Sequence, residues 1–133
     1  MELIRKYQEQ YSEFCKIDDF NLEERAKRVP AEKHFWVARL IEAKIEKGSL
    51  VKQRSRAIRH QTERISESNS LVKLNAKELE KQLKESPTIE SIDEKIKEQD
   101  FLIEYLDLLV RQVTFIAQDI KNIVEIRKLE ETG

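Results

Sequence analysis

The chain has 133 residues, 38% of them charged, with 25 Lys+Arg against 26 Asp+Glu and a formal net charge of −1. Only two glycines (Gly48, Gly133) and two prolines (Pro30, Pro87) punctuate it, and 39% of its residues are apolar. This argues against all-β folds, whose turns rely on Gly and Pro, against Gly-rich phosphate loops and against a large private core; taken as a sum, the charge also argues against a nucleic-acid partner.

Residues 3–17 predict a short helix, with Leu3, Tyr7, Tyr11 and Phe14 at helical spacing. Asp18-Asp19 interrupts it. Asn21 then predicts an N-cap, with Glu24 at the capping-box position. Pro30 marks the next boundary, because it disfavours helix at the residue before it and suits the first turn of a new helix.

A long helix is predicted from about Ala31 to Ile65. Val37, Ile41, Val51, Ile58 and Ile65 fall near one stripe, flanked by Trp36, Leu40, Ala43 and Leu50. Lys44, Gly48, Ser55 and Thr62 fill the other heptad positions of that stripe and weaken its middle, and Gly48-Ser49 predicts a kink there. Ser66-Glu67-Ser68-Asn69-Ser70 predicts a turn. Residues 71–84 predict a polar helix with a thin stripe of Val72, Ala76, Leu79 and Leu83.

Ser86-Pro87 opens the last helix, with Pro87 at its first position. Ile89, Ile92, Ile96, Gln99, Ile103, Leu106, Val110, Val113, Ala117, Ile120 and Val124 follow strict 3–4 spacing, the signature of a coiled-coil-like seam. A second stripe runs beside it through Leu102, Tyr105, Leu109, Phe115, Ile116, Ile123 and Ile126. Two seams imply two neighbours. A helix of about 40 residues spans roughly 60 Å, too long for short helices of the same chain to cover. The reading is an all-α protein of long helices, whose C-terminal helix forms a homo-oligomeric ring or bundle. The oligomer contacts are placed at Ile96, Ile103, Leu106, Val110, Val113, Ile120 and Val124 of the first seam, and at Leu109, Ile116 and Ile123 of the second. The boundary is set between residues 1–84, an N-terminal helical module, and 85–133, the oligomerisation module.

Charge is segregated along the chain. Residues 35–84 hold 12 basic and 6 acidic side chains, and residues 85–133 hold 6 and 12. Positions 47–60 contain Lys47, Lys52, Arg54, Arg56 and Arg59 and no acid, and Lys44 and Arg64 extend the patch. Lys52, Arg56 and Arg59 share one helix face at i, i+4, i+7, a surface suited to a phosphate backbone. His60 lies in the same patch and is placed with it. No aromatic residue occurs between Trp36 and Phe101, so the patch has no base-stacking platform, and binding there is expected to be phosphate-dominated and salt-sensitive.

Signs of catalysis are missing. His34 and His60 have no metal-ligand spacing around them, and no nucleophile, P-loop or zincin motif occurs. Cys15 reads as an idle thiol, His34 as a packing or capping residue, and Phe35 and Trp36 as packing against the N-terminal helix. No enzyme, cofactor or metal is expected. One cysteine, a charged opening MELIRKYQEQ and no uninterrupted apolar span predict a cytoplasmic protein without a membrane segment.

Three stretches together resemble one family. Ile120-Lys121-Asn122-Ile123-Val124-Glu125-Ile126-Arg127-Lys128-Leu129 is similar to the ending of the UvsY recombination mediators of tailed phages. Ile17-Asp18-Asp19-Phe20-Asn21-Leu22-Glu23-Glu24, continuing to Pro30 and Lys33-His34-Phe35-Trp36, resembles that family's N-terminal stretch, and the basic helix falls where the family carries its DNA-binding segment. Where the family commonly has a Tyr-Tyr pair and a glycine, this chain has Arg59-His60-Gln61-Thr62-Glu63. The resemblance implies a protein of DNA recombination, repair and replication that binds single-stranded DNA as a ring of six or seven subunits. In an infected bacterial host it would help a RecA-like recombinase replace the single-strand-binding protein, with Lys52, Arg54, Arg56 and Arg59 as the DNA-contacting cations. The alternative is a helical scaffold or adaptor that binds only protein, its basic block pairing with a neighbour's acidic block. A regulator of duplex DNA would need a compact helix-turn-helix, which the polar helices beside 66–70 do not supply.

Overall fold

A computed structural model describes residues 2–15, 22–68 and 75–132. They form four helices: α1 (Glu2–Phe14), α2 (Leu22–Ser68), α3 (Ala76–Lys84) and α4 (Pro87–Thr132), with no strand among the described residues. The Asp18-Asp19 break, the Asn21 cap, the end of the predicted turn (69–70) and Val72 lie outside the described residues.

The expected boundary at Pro30 is absent. Pro30 sits inside α2, which runs unbroken for 47 residues. A proline ring cannot donate to the carbonyl four residues back, so the helix continues there with one backbone bond fewer. Packing on both sides overrides this local cost, because Val29 just before it and Trp36 beyond it are both buried. Nor does Gly48 interrupt the helix: its φ is not positive, and a Cβ added there would meet nothing within 4 Å.

The chain divides into two compact units, Met1–Glu42 with Leu102–Gly133, and Ala43–Phe101. The expected division at residues 84/85 falls between α3 and α4, within the second of these.

In the first unit, α1, the start of α2 and the C-terminal part of α4 share a core. Trp36, 1% exposed, is its largest side chain. Its ring meets Tyr7 edge-on at 5.6 Å and Phe35 at 4.9 Å between centroids, with Tyr11 at 6.3 Å. Edge-to-face geometry lets the positive rim of one ring meet the negative face of another. Leu106 and Val113 of α4 are completely buried, and Leu102, Leu109 and Ile120 nearly so; burial of each such side chain stabilises by about 1.5–3 kcal/mol. The Tyr11 hydroxyl donates to Gln112 Oε1 at 3.0 Å. Burial, reinforced by Cys15, pushes its ionisation well above the usual phenol range, so it remains a donor. Arg25 is buried as well, its guanidinium 4.0 Å from the centre of the Phe14 ring.

The second unit joins the rest of α2, α3 and the start of α4. Ala43, Leu50 and Ile89 are buried, with Ile58, Leu79, Leu83, Ile92 and Ile96 half-buried. Gln99 Nε2 donates to the Ala43 carbonyl at 3.0 Å. Asn75 caps α3 by accepting from the Glu78 amide at 2.9 Å. The start at Ser86-Pro87 matches the expectation: Pro87 is the first residue of α4, and the Ser86 carbonyl accepts from the Glu90 amide at 3.0 Å.

The buried face of α2 is not the stripe that the sequence favoured. Trp36, Leu40, Ala43 and Leu50, read as flanking residues, form the core, while Ile41 and Val51 are 52% and 45% exposed. The two stripes lie side by side on one helix, and the one that carries Trp36 turns inward. The long helix expected from about Ala31 to Ile65 extends further, to 47 residues, and is matched in length by the 46 residues of α4.

Candidate nucleic-acid interface

All eight basic-patch residues lie on α2 within the second unit. At about 100° per residue, a helix distributes Lys44 to Arg64 around its axis, and the structure separates them into two sets. Lys44, Lys52, Arg56, Arg59, His60 and Arg64 are exposed. None of them makes an ion pair among the described residues. Lys52, Arg56 and Arg59 stand on the side away from Leu50, and no carboxylate interrupts α2 between Glu46 and Glu63. Such an uninterrupted cationic face attracts a polyanion at long range and contacts its phosphates at short range.

Lys47 and Arg54 belong to the other set. Lys47 Nζ lies 2.6 Å from Asp100 Oδ1, and Arg54 Nε lies 2.5 Å from Asp93 Oδ1. Both cations are half-buried and sit on the same turn-by-turn stripe as Ala43 and Leu50. The sequence reading missed Asp93 and Asp100 as their partners. A signal was available: Lys47 and Arg54 stand at heptad positions of the buried stripe, which places them against a neighbouring helix.

The residues proposed for oligomer contacts are also divided. Leu106, Leu109, Val113 and Ile120 are buried within the chain's own core, and Ile96, Ile103, Val110, Ile116 and Val124 are half-buried. Ile123 is exposed. It joins Leu108, Phe115, Ile126 and Leu129 on the outside of α4, of which Phe115 is 67% and Leu129 72% exposed.

Surface recesses also lie among the described residues. Ala26, Val29 and Pro30 of α2 face Ala117, Ile120 and Val124 of α4 across a largely apolar groove of about 400 Å³. A second recess, of about 560 Å³, lies between α1 and α2 beside Phe35 and Trp36. A third, of about 240 Å³, lies where Ile58, Leu83 and Ile89 meet. Among the described residues, no group of three or more His, Cys, Asp or Glu could hold a metal ion. No helix among them is long and apolar enough to cross a membrane.

Residues 10–133 match the family model described as "Recombination, repair and ssDNA binding protein UvsY". The chain belongs to the UvsY family. The match covers the whole cationic helix and all of α3 and α4. Comparison with curated proteins and with solved structures gives no match. As a UvsY-family chain it carries the general role of a recombination, repair and single-stranded-DNA-binding protein.

Proposed function

We propose that this UvsY-family chain is a recombination mediator without a catalytic step. It binds single-stranded DNA along the outward face of α2 and helps a RecA-like phage recombinase replace the single-strand-binding protein, in the cytoplasm of an infected bacterium. One observation carries the reading: Lys52, Arg56 and Arg59 lie exposed on one helix face in a stretch without acids between Glu46 and Glu63, with Lys44, His60 and Arg64 nearby. Contacts of this kind go to phosphate and are indifferent to base sequence, as a mediator acting along any strand requires.

The chain works in this proposal as a homo-oligomer of six or seven subunits. Support comes from the outer face of α4, where Leu108, Phe115, Ile126 and Leu129 are exposed. Large apolar side chains clustered in water mark an interaction surface. An assembly presents several cationic helices to one strand, and each helix after the first binds at high effective concentration. A strand held at many points loses contacts with its resident binding protein, and the recombinase receives it in that state.

The scaffold reading draws on Lys47 and Arg54, whose charges are already matched by acids of the same unit. DNA binding separates the two readings. Between three and five phosphate contacts per subunit predict a log–log salt slope of roughly −2 to −3.5 on single strands. Fluorescence anisotropy across a salt series measures it. Affinity that is flat from low to high salt would sink the mediator reading.

A further inference from the structure

The geometry points to a carboxylate latch on the cationic helix: Asp93 and Asp100 of α4 withhold Arg54 and Lys47 from a bound DNA strand. The inference rests on the single-strand-binding reading above and goes beyond it by dividing the cations into available and withheld sets.

Lys47 and Arg54 are two helical turns apart on α2, and Asp100 and Asp93 are two turns apart on α4, in the reverse order. The two pairs therefore form successive rungs between antiparallel helix segments. Each carboxylate takes the position on its cation that a phosphate oxygen would take, at 2.6 Å on Lys47 and 2.5 Å on Arg54. The two rungs stand roughly 10 Å apart along the axis, so α4 offers α2 a spaced pair of anions, as a nucleic-acid backbone would. The pairs are reachable from solvent, with side-chain exposures of 40% and 45% for Lys47 and Asp100, and 42% and 47% for Arg54 and Asp93.

The helices do not depend on these rungs to stay together. Ala43, Leu50 and Ile89 are buried between them, and Gln99 is hydrogen-bonded to the Ala43 carbonyl. Removing the carboxylates should therefore release the cations without separating the helices. The remaining cations of the patch make no ion pair among the described residues, so a strand meets them first.

The test uses the full chain and a fluorescent oligo(dT), with anisotropy recorded over a salt series. Three proteins are compared: wild type, the double variant D93N/D100N, and the control E90Q/E94Q. The control removes the same charge from neighbouring exposed positions of α4 that hold no cation among the described residues. With the latch, D93N/D100N binds several-fold tighter at low salt, and its log–log slope steepens by about 1.4, two contacts at about 0.7 each. The single variant D93N steepens it by about half as much, and E90Q/E94Q leaves the slope unchanged. An unchanged slope in D93N/D100N overturns the latch, and so does an equal shift in the control, which would assign the effect to net charge. Loss of helicity by circular dichroism in both D93N and D93N/D100N would also overturn it, by making the pairs structural. Wild type that binds no DNA at low salt overturns the latch and the mediator reading together; wild type that binds while the variants fail to steepen overturns the latch alone.

Discussion

A lysine or arginine on a helix is available to a phosphate only if its turn points it away from neighbouring carboxylates. Lys52, Arg56 and Arg59 make no ion pair among the described residues, while Lys47 and Arg54, a few residues away, do. Partly exposed ion pairs of the latter kind contribute about 0.2–1 kcal/mol each, so they add little to stability but do occupy a cation. Replacing Lys52, Arg56 and Arg59 together with Ala is expected to flatten the log–log salt slope by about 2 and to weaken single-strand binding at least tenfold at low salt. Particle mass by light scattering should stay the same, because all three side chains project into solvent. A simultaneous fall in mass would instead assign the face to assembly.

Helices obey the sum of their contacts rather than any one residue, and α2 illustrates this at Pro30. A proline in a helix interior costs about 3 kcal/mol, part of which it returns by restricting the unfolded chain, by about 0.4–1 kcal/mol. Pro30 is exposed, so Pro30→Ala is expected to raise stability by about 2 kcal/mol, read as a higher midpoint in urea with the m-value unchanged. A lower midpoint would mean that the ring itself packs against the groove beside Val29 and Ile120. The same position explains what the sequence could and could not reveal. The preference of proline for helix starts is local, and it was outweighed by Val29 and Trp36, whose burial depends on residues far along the chain. By contrast, α4 was legible almost end to end, because the 3–4 spacing from Ile89 to Val124 is unbroken and Ser86-Pro87 gives a clear start. The basic patch was legible as composition. Its division into two sets was not, since Asp93 and Asp100 are distant in sequence and only the fold brings them to Lys47 and Arg54. On α2, two apolar stripes competed, and the one carrying the chain's single tryptophan went inside with Leu40, Ala43 and Leu50.

At the scale of the whole molecule, the outer face of α4 bears on assembly. Leu108 and Phe115 lie seven residues apart, and both are more than half exposed. Leu108→Glu together with Phe115→Glu is expected to lower the particle mass in light scattering toward that of one chain. Helicity by circular dichroism should be unchanged, because neither side chain fills the core. Unchanged mass would locate the subunit contacts elsewhere.

The first unit is made from both ends of the chain, with the second inserted between them. During synthesis Trp36 emerges well before Leu106 and Val113, which complete its unit's core. The middle segment is continuous in sequence, so even its long-range contacts, such as Gln99 with the Ala43 carbonyl 56 residues away, close within it. Once folded, it brings residues 42 and 102 nearer than a free loop would, lowering the entropy of closing the first unit. The second unit, continuous in sequence, can thus close before the first, whose core around Trp36 waits for Leu106 and Val113.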